Sequence, residues 1–205
     1  MHKARASATT MARTTTGIDI GLRTTKVLRG HYKANTFHAS AFTCHEHASG
    51  TVAGGWEDLE LRVKPTTARI GLSGRDVNIR YVRVPRVPDW QLRKLMHFEV
   101  AEIGDQSGAE VASDFNLLPE LPEIEGEDVV VLAMARESLL AEHLEGLHAN
   151  AGTLDAFSPA SLALYNAWIR FGAVQDETVL IADIGHDNID VVIARGADLI
   201  FARNM

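Results

Sequence analysis

The sequence is poor in the residues that mark disulfide-rich, membrane-spanning and unstructured chains. Its 205 residues include one cysteine, Cys44, so no internal disulfide is possible and a reducing compartment is expected. Aromatic residues make up 6%, and there are six prolines. The longest unbroken apolar run, Val129 to Ala135, is far short of the ~20 residues that cross a bilayer. We therefore expect a globular protein that does not span a membrane by itself.

The chain also lacks a positive net charge, because 27 acidic side chains outnumber 20 Lys and Arg, for a formal charge of −7. This balance argues against binding of nucleic acid over the whole surface. The charges are segregated: residues 62–94 hold nine basic and two acidic side chains, and residues 95–145 hold one basic and thirteen acidic ones. The pattern indicates two solvated faces that neutralise each other, the commoner case, or a basic surface for an acidic partner.

Short strand and helix patterns fill most of the chain. Residues 1–14 are basic, contain no acid and predict a disordered tail. Alternating residues on either side of Gly74 predict a hairpin over 67–84, and Ser158-Pro159 predicts a helix start with Ser158 as the N-cap. Further strands are predicted over 17–21, 26–33, 36–45, 111–118, 128–135, 178–183, 189–194 and 198–203, and helices over 56–63, 89–103 and 137–150.

Two Asp-Ile-Gly turns lie 164 residues apart, each between strand patterns. They are Asp19-Ile20-Gly21 and Asp183-Ile184-Gly185, and they suggest duplicated lobes. Glycine lets the backbone approach an anion and present N–H groups to it, and Lys26 adds a positive charge. The residues are thus consistent with a phosphate clamp. Tight turns with only a structural role are an equally supported alternative.

A cluster of metal-ligand residue types follows the first turn. His38, Cys44, His45 and His47 lie within ten residues, but Cys44 and His45 are adjacent on a predicted strand and point to opposite faces. A zinc site needs four converging ligands, so we expect exposed strand-end histidines instead. The chain contains no P-loop motif.

The paired Asp-x-Gly hairpins resemble the phosphate loops of the actin-like ATPases. Within that superfamily the chain resembles the PilM-like proteins of type IV pilus assembly, which have relatives in competence and type II secretion. The segments that carry the resemblance are GIDIGLRTTKVL at 17–28, Ile70–Pro88, the helix 89–103, VLAMARESLLAEHLEGLHANAG at 131–152, SPASLALYNA at 158–167 and LIADIG at 180–185.

The resemblance implies an α/β fold: an actin-like (RNase H-like) lobe with an inserted α/β subdomain. It assigns residues 15–66 and 151–176 to the first lobe, 67–150 to the insert and 177–205 to a second lobe that is truncated after its first strands. Because the family's adenosine site lies beyond these strands, ATP hydrolysis by this chain alone is not expected. No catalytic residue is predicted.

The resemblance also implies a site for ATP and Mg. The cofactor-binding residues would be Asp19, Gly21, Thr24, Thr25, Lys26, Asp183 and Gly185. Two departures weaken the match. Leu22 and Arg23 stand where small hydroxyl residues usually follow the first glycine, and Asp187 would place a negative charge beside a phosphate.

The function implied by the family is that of a scaffold. Such a protein is cytoplasmic and peripheral to the inner membrane through a PilN-like partner, whose tail carries an Asn-Leu-Leu-Pro stretch. The alternative is an actin-like ATPase whose ATP binding or hydrolysis regulates pilus assembly. A relative of the cell-division protein FtsA would carry a C-terminal amphipathic membrane helix, and this sequence shows none. No nucleic-acid partner is expected.

Overall fold

The structure, a computed structural model, describes residues 14–33, 36–59, 67–120, 124–172 and 176–205. Eleven strands and four helices lie within these ranges. In chain order they are β1 (Thr14–Ile20), β2 (Thr24–Lys33), β3 (Thr36–Glu46), α1 (Val52–Leu59), β4 (Thr67–Leu72), β5 (Val77–Pro85), α2 (Asp89–Ser107), β6 (Val111–Leu117), β7 (Glu127–Arg136), α3 (Glu137–Ala149), β8 (Thr153–Pro159), α4 (Ala160–Phe171), β9 (Thr178–Ile184), β10 (Ile189–Arg195) and β11 (Asp198–Asn204).

The largest sheet has five strands in the order β3-β2-β1-β4-β8. β1, β2 and β3 form an antiparallel meander, whereas β4 runs parallel to both β1 and β8. Alternate residues of β1, β2 and β4, such as Ile18, Val27 and Ile70, point into one core with Trp56 of α1 and Leu147 of α3. Burial along β1 and β2 has a period of two, because successive residues of a strand point to opposite faces of the sheet.

A second sheet, in the order β5-β7-β6, is built from the chain between β4 and α3. Leu92 and Met96 of α2 pack on Val84 and Val130 of this sheet. α2 ends at Ser107 and is capped by Gly108, which adopts the left-handed conformation and donates its N–H to the Gly104 carbonyl. Arg86, in the basic stretch 62–94, forms ion pairs with Glu120 and Asp128, which belong to the acidic stretch 95–145.

The third sheet is the meander β11-β10-β9. Its core residues Val192, Leu199 and Ala202 pack against Leu162 and Tyr165 of α4. Because α4 also contacts β4 and β8, this helix lies between the five-stranded sheet and the meander.

Most predicted elements are present, but two local predictions are wrong. β4 and β5 do not form a hairpin, since β4 pairs with β1 and β8 while β5 pairs with β7. Ser158 does not cap α4, because it lies in β8 and the N-cap residue is Pro159, without a side-chain cap.

The predicted boundaries of other segments shift or lie outside the described residues. The first helix begins earlier than predicted, at Val52, and the predicted part beyond Leu59 lies outside the described residues. The predicted tail over 1–14 also lies outside them, except Thr14, which begins β1. The lobe division stays a prediction, but β4 pairs with the strands of the first lobe rather than with the insert.

Candidate functional site

The two Asp-Ile-Gly turns are closed by the same backbone hydrogen bond. The N–H of Gly21 donates to the Thr24 carbonyl at 2.9 Å, and the N–H of Gly185 donates to the Asn188 carbonyl at 2.8 Å. A Cβ on Gly185 would lie 2.5 Å from the Asn188 side chain and 3.0 Å from the Asn188 carbonyl oxygen, so a larger residue would force the Asn188 side chain to move. The sequence repeat is therefore a structural repeat of two hairpins, β1–β2 and β9–β10.

The aspartates of both turns face a partner seven residues further on. Asp19 pairs across the ladder with Lys26, and Asp183 pairs with Asp190. The Lys26 Nζ lies 3.1 Å from Asp19 Oδ2, with both side chains partly exposed. The repeat thus places a cation in the first hairpin and an acid at the equivalent position of the second.

The pKa of Lys26 is influenced by acids from both hairpins, so the two hairpins lie near each other. Burial alone would lower the pKa of Lys26, but the charge and hydrogen bond of Asp19, together with the charge of Asp183, raise it above its ordinary value. Lys26 therefore stays protonated, and it is influenced by the acid of both turns.

Asp190 is the residue that sequence reasoning missed. It is 4% exposed and accepts hydrogen bonds from the side-chain amides of Asn188 and Asn204 and from the backbone N–H of Ser161 in the first turn of α4. Burial raises the pKa of Asp190, and the charges of Asp183 and Asp19 raise it further, against the lowering effect of the hydrogen bonds from Asn204 and Ser161. If residues 19–26 are aligned with residues 183–190, Asp190 occupies the position equivalent to Lys26, and this alignment would have pointed to it.

The side chain of His47 contacts the first turn. Because His47 is buried, the prediction of exposed histidines is wrong at this position. The Nε2 of His47 lies 2.9 Å from the Gly21 carbonyl, and its Nδ1 lies 2.8 Å from the Ser49 hydroxyl. The predicted site residue Thr25 is also buried, and its hydroxyl donates to the Gly55 carbonyl of α1 at 3.4 Å. Thr24 stays half-exposed at the turn.

The residues gathered at the turns carry more acids than cations, so without a divalent cation they do not offset the charge of a triphosphate, and the ATP and Mg site stays a prediction. Both glycine N–H groups are already hydrogen-bonded within their turns. Asp19, Asp183 and the exposed Asp187 bring negative charge to the same two turns, and the charge of Lys26 is shared with Asp19. A phosphate here would meet more carboxylates than cations. Among the described residues no group of three or more His, Cys, Asp or Glu side chains is arranged to hold a metal.

A separate cleft of about 320 Å³ lies between the five-stranded sheet and the second sheet. It is bordered by β6 and β8, each the outermost strand of its sheet among the described residues. Its floor is apolar, with Leu72, Met134 and Phe157, and Asp114 stands at its rim.

No helix in the described part of the chain is both long and apolar enough to span a bilayer.

Neither a protein-family model nor a curated protein matches the sequence. Solved structures do match. A chain from the PilM–PilN type IV pilus biogenesis complex superposes with a TM-score of 0.75 at 20% identity over 93% of this chain. This chain has an actin-like fold. It spans 61% of the length of that match, about three fifths.

Two further structures share this actin-like fold. The cytoplasmic domain of EpsL, an inner-membrane component of the Vibrio cholerae type II secretion system, matches with a TM-score of 0.59 at 14% identity, over 94% of this chain and 71% of its own. A Bacteroides thetaiotaomicron protein with an actin-like ATPase fold and unknown function matches with a TM-score of 0.52 at 11% identity, over 98% of this chain and 73% of its own. The predicted fold class, including the likeness to PilM, is confirmed.

Proposed function

We propose that this actin-like chain is a scaffold of a type IV pilus or type II secretion apparatus. Its cleft would hold the cytoplasmic tail of a PilN-like inner-membrane partner, so that the protein works in the cytoplasm, peripheral to the membrane. The observation that carries the proposal is the apolar cleft bordered by the two edge strands β6 and β8. The fold shared with the chain from the PilM–PilN complex supports the choice of partner.

An extended peptide suits this cleft for two physical reasons. An edge strand leaves alternate backbone N–H and C=O groups unpaired, and an added strand can bond to them. The floor formed by Leu72, Met134 and Phe157 would receive alternate apolar side chains of the peptide, such as the leucines of an Asn-Leu-Leu-Pro stretch. Backbone pairing would supply affinity, and the apolar floor would supply specificity.

The test is titration of the chain with a synthetic peptide that carries this stretch. Asp114→Trp should weaken binding at least ~10-fold, because the indole ring would occupy the mouth of the cleft. Asn116→Trp is the matched control, since Asn116 is exposed two residues further along β6 and does not line the cleft. Both variants should retain the circular dichroism spectrum of the parent.

A second peptide separates strand addition from other modes of binding. Methylation of alternate backbone nitrogens removes their N–H donors and should abolish binding if the tail pairs with an edge strand. Equal binding by the Asp114 and Asn116 variants would refute the cleft as the docking site. Failure of the unmodified peptide to bind at all would refute the proposed function.

The second candidate function, nucleotide-dependent regulation of assembly, is favoured by the paired turns and by Lys26, whose charge is influenced by the acids of both turns. The carboxylates at these turns oppose it. We predict no Mg-dependent rise in melting temperature for this chain at millimolar ATP, measured by differential scanning fluorimetry, because the site does not offset the charge of a triphosphate. A clear rise that Lys26→Ala abolishes would contradict this prediction.

A further inference from the structure

The exposed surface of α2 carries a row of residues spaced four apart, which winds about 40° around the helix at each step. Trp90 is 58% exposed and Phe98 is 70% exposed, and Lys94 between them lies with its Nζ 5.2 Å from the centre of the Trp90 ring. Glu102 and Gln106 continue the spacing, and Gln106 Nε2 donates to Glu102 Oε1 at 3.2 Å. We call these five residues the α2 ridge. The buried residues Leu92 and Met96 occupy the other side of the helix.

The α2 ridge carries opposite charges at equal distances on the two sides of Phe98. One turn before Phe98 stands a cation, Lys94, and one turn after it stands an anion, Glu102. Of the neighbouring exposed charges, Arg93 lies on the basic side and Asp105 on the acidic side, whereas the acid Asp89 begins the helix. None of the ion pairs between described residues involves Lys94, Glu102, Arg93 or Asp105.

We infer that the α2 ridge is a self-association surface, with a second copy of this chain as its partner. If two copies cross antiparallel with Phe98 of each at the two-fold axis, Lys94 of each copy faces Glu102 of the other. Both charged positions lie about 6 Å along the helix from the crossing point, within reach of the contact. Residues four apart form the ridges that interdigitate where helices cross, so the ridge has the geometry that such packing uses. A two-fold interface must be complementary to itself, and opposite charges placed symmetrically about an aromatic centre meet this condition.

The size of the ridge sets the expected strength. Because the row winds around the helix, only its central residues Lys94, Phe98 and Glu102 can meet a second copy at one crossing, and such a crossing buries less than the ~1,200 Å² of a standard stable interface. The dimer should therefore be weak and should form in the range of tens to hundreds of micromolar. It should also weaken at high salt, because its charge pairs lie at the exposed rim of the contact.

The experiment is sedimentation equilibrium of the 205-residue chain up to about 300 μM, with charge-reversal variants. Lys94→Glu leaves two acidic side chains on the ridge, and Glu102→Lys leaves two basic ones, so each variant alone should associate at least ~10-fold more weakly than the parent. Mixing the two variants should restore association, because each acidic position then faces a basic one. The double variant K94E/E102K should also associate like the parent.

The inference would be overturned by a parent that remains monomeric, by single variants that associate as well as the parent, or by a mixture that does not recover. Phe98→Ser should abolish association, whereas Glu145→Ala, at an exposed position on α3, should leave it unchanged. Binding of the monomer to anionic vesicles through Trp90 and Lys94 would assign the ridge to a membrane surface instead. All variants change exposed side chains, so their melting temperatures report whether the fold is intact.

Discussion

His143 is a neutral imidazole enclosed in the first core. It is 2% exposed, the Trp56 indole N–H donates to its Nδ1 at 3.3 Å, and the two rings meet edge to face. Burial lowers its pKa to about 4, from an ordinary value of 6.5. Because Nδ1 accepts a hydrogen bond, a neutral ring carries its proton on Nε2.

This lowered pKa predicts acid destabilisation in a defined window. Above pH 6.5 the ring is neutral in both folded and unfolded chains. As the pH falls from 6.5 towards 4, His143 becomes protonated in the unfolded chain but stays neutral in the folded chain. The free energy of unfolding therefore falls by at most about 3 kcal/mol. Urea unfolding of the parent and of His143→Gln at pH 7 and pH 4.5 measures the effect. The parent should lose more stability than the variant, and equal losses would contradict the assignment.

Gly146 of α3, like His143, packs against Trp56, which leaves no room for a side chain at this position. An added Cβ would lie 2.2 Å from Cγ of that buried ring. Gly146→Ala should therefore destabilise the protein by about 1–3 kcal/mol, in spite of the better helix propensity of alanine. Gly104→Ala in α2 is the matched control, because its Cβ would meet ordinary contacts at 3.7 Å and longer. The control should raise the melting temperature, since it removes a flexible residue from a helix.

At the scale of elements, an acid from another sheet caps α4. Asp190 of β10 accepts the N–H of Ser161, a role that the local sequence assigned to Ser158. A carboxylate at a helix N-terminus satisfies an orphan donor and complements the helix dipole. The third sheet is thereby joined to the helix that packs on the first one.

Asp190→Ala should destabilise this junction. The substitution leaves the Ser161 N–H and the Asn204 amide without their acceptor, at a cost of about 1–3 kcal/mol. Hydrogen exchange should show faster exchange of the Ser161 amide, and urea unfolding should show the loss of stability. Asp187→Ala, an exposed acid in the same hairpin, should change neither. An unprotected Ser161 amide in the parent would disprove the cap.

The elements that sequence patterns predict are those with local signals. The meander β9–β11 and the helix that begins at Asp89 follow from periodicity and turn residues, and both are confirmed. The false hairpin at Gly74 shows where such signals stop, because β4 pairs with β8, more than eighty residues away. No nearby residue encodes that pairing. His47 likewise gives no sequence signal, since its role depends on β3 ending behind the first turn.

At the scale of the whole molecule, Tyr81 links the second sheet to the third. Its hydroxyl donates to the Ala202 carbonyl at 3.3 Å and accepts the Ala202 N–H, and its ring stacks on Phe201 with centres 5.7 Å apart. Burial raises the pKa of Tyr81 to about 12, so the hydroxyl remains a donor at physiological pH.

Tyr81→Phe should loosen this link without disturbing either sheet. Loss of the two hydrogen bonds should lower stability by about 1–3 kcal/mol and speed exchange of the Ala202 amide. Tyr165→Phe is the control, because the Tyr165 hydroxyl donates instead to Ala197, at the turn between β10 and β11. If the Ala202 amide exchanges equally fast in both variants, the link does not depend on Tyr81.

The second sheet leaves and rejoins the rest of the chain at one narrow point. Asp76, just before β5, and Arg136, at the end of β7, share a backbone hydrogen bond of 3.0 Å and an ion pair of 3.2 Å. β4, α3 and β8 would by themselves form an ordinary strand–helix–strand crossover. A lineage could therefore acquire or exchange the intervening segment in a single genetic event, and the strand register of the five-stranded sheet would not change. The cleft and the α2 ridge both depend on that segment, so its replacement would change both proposed binding surfaces together and leave the five-stranded sheet in place.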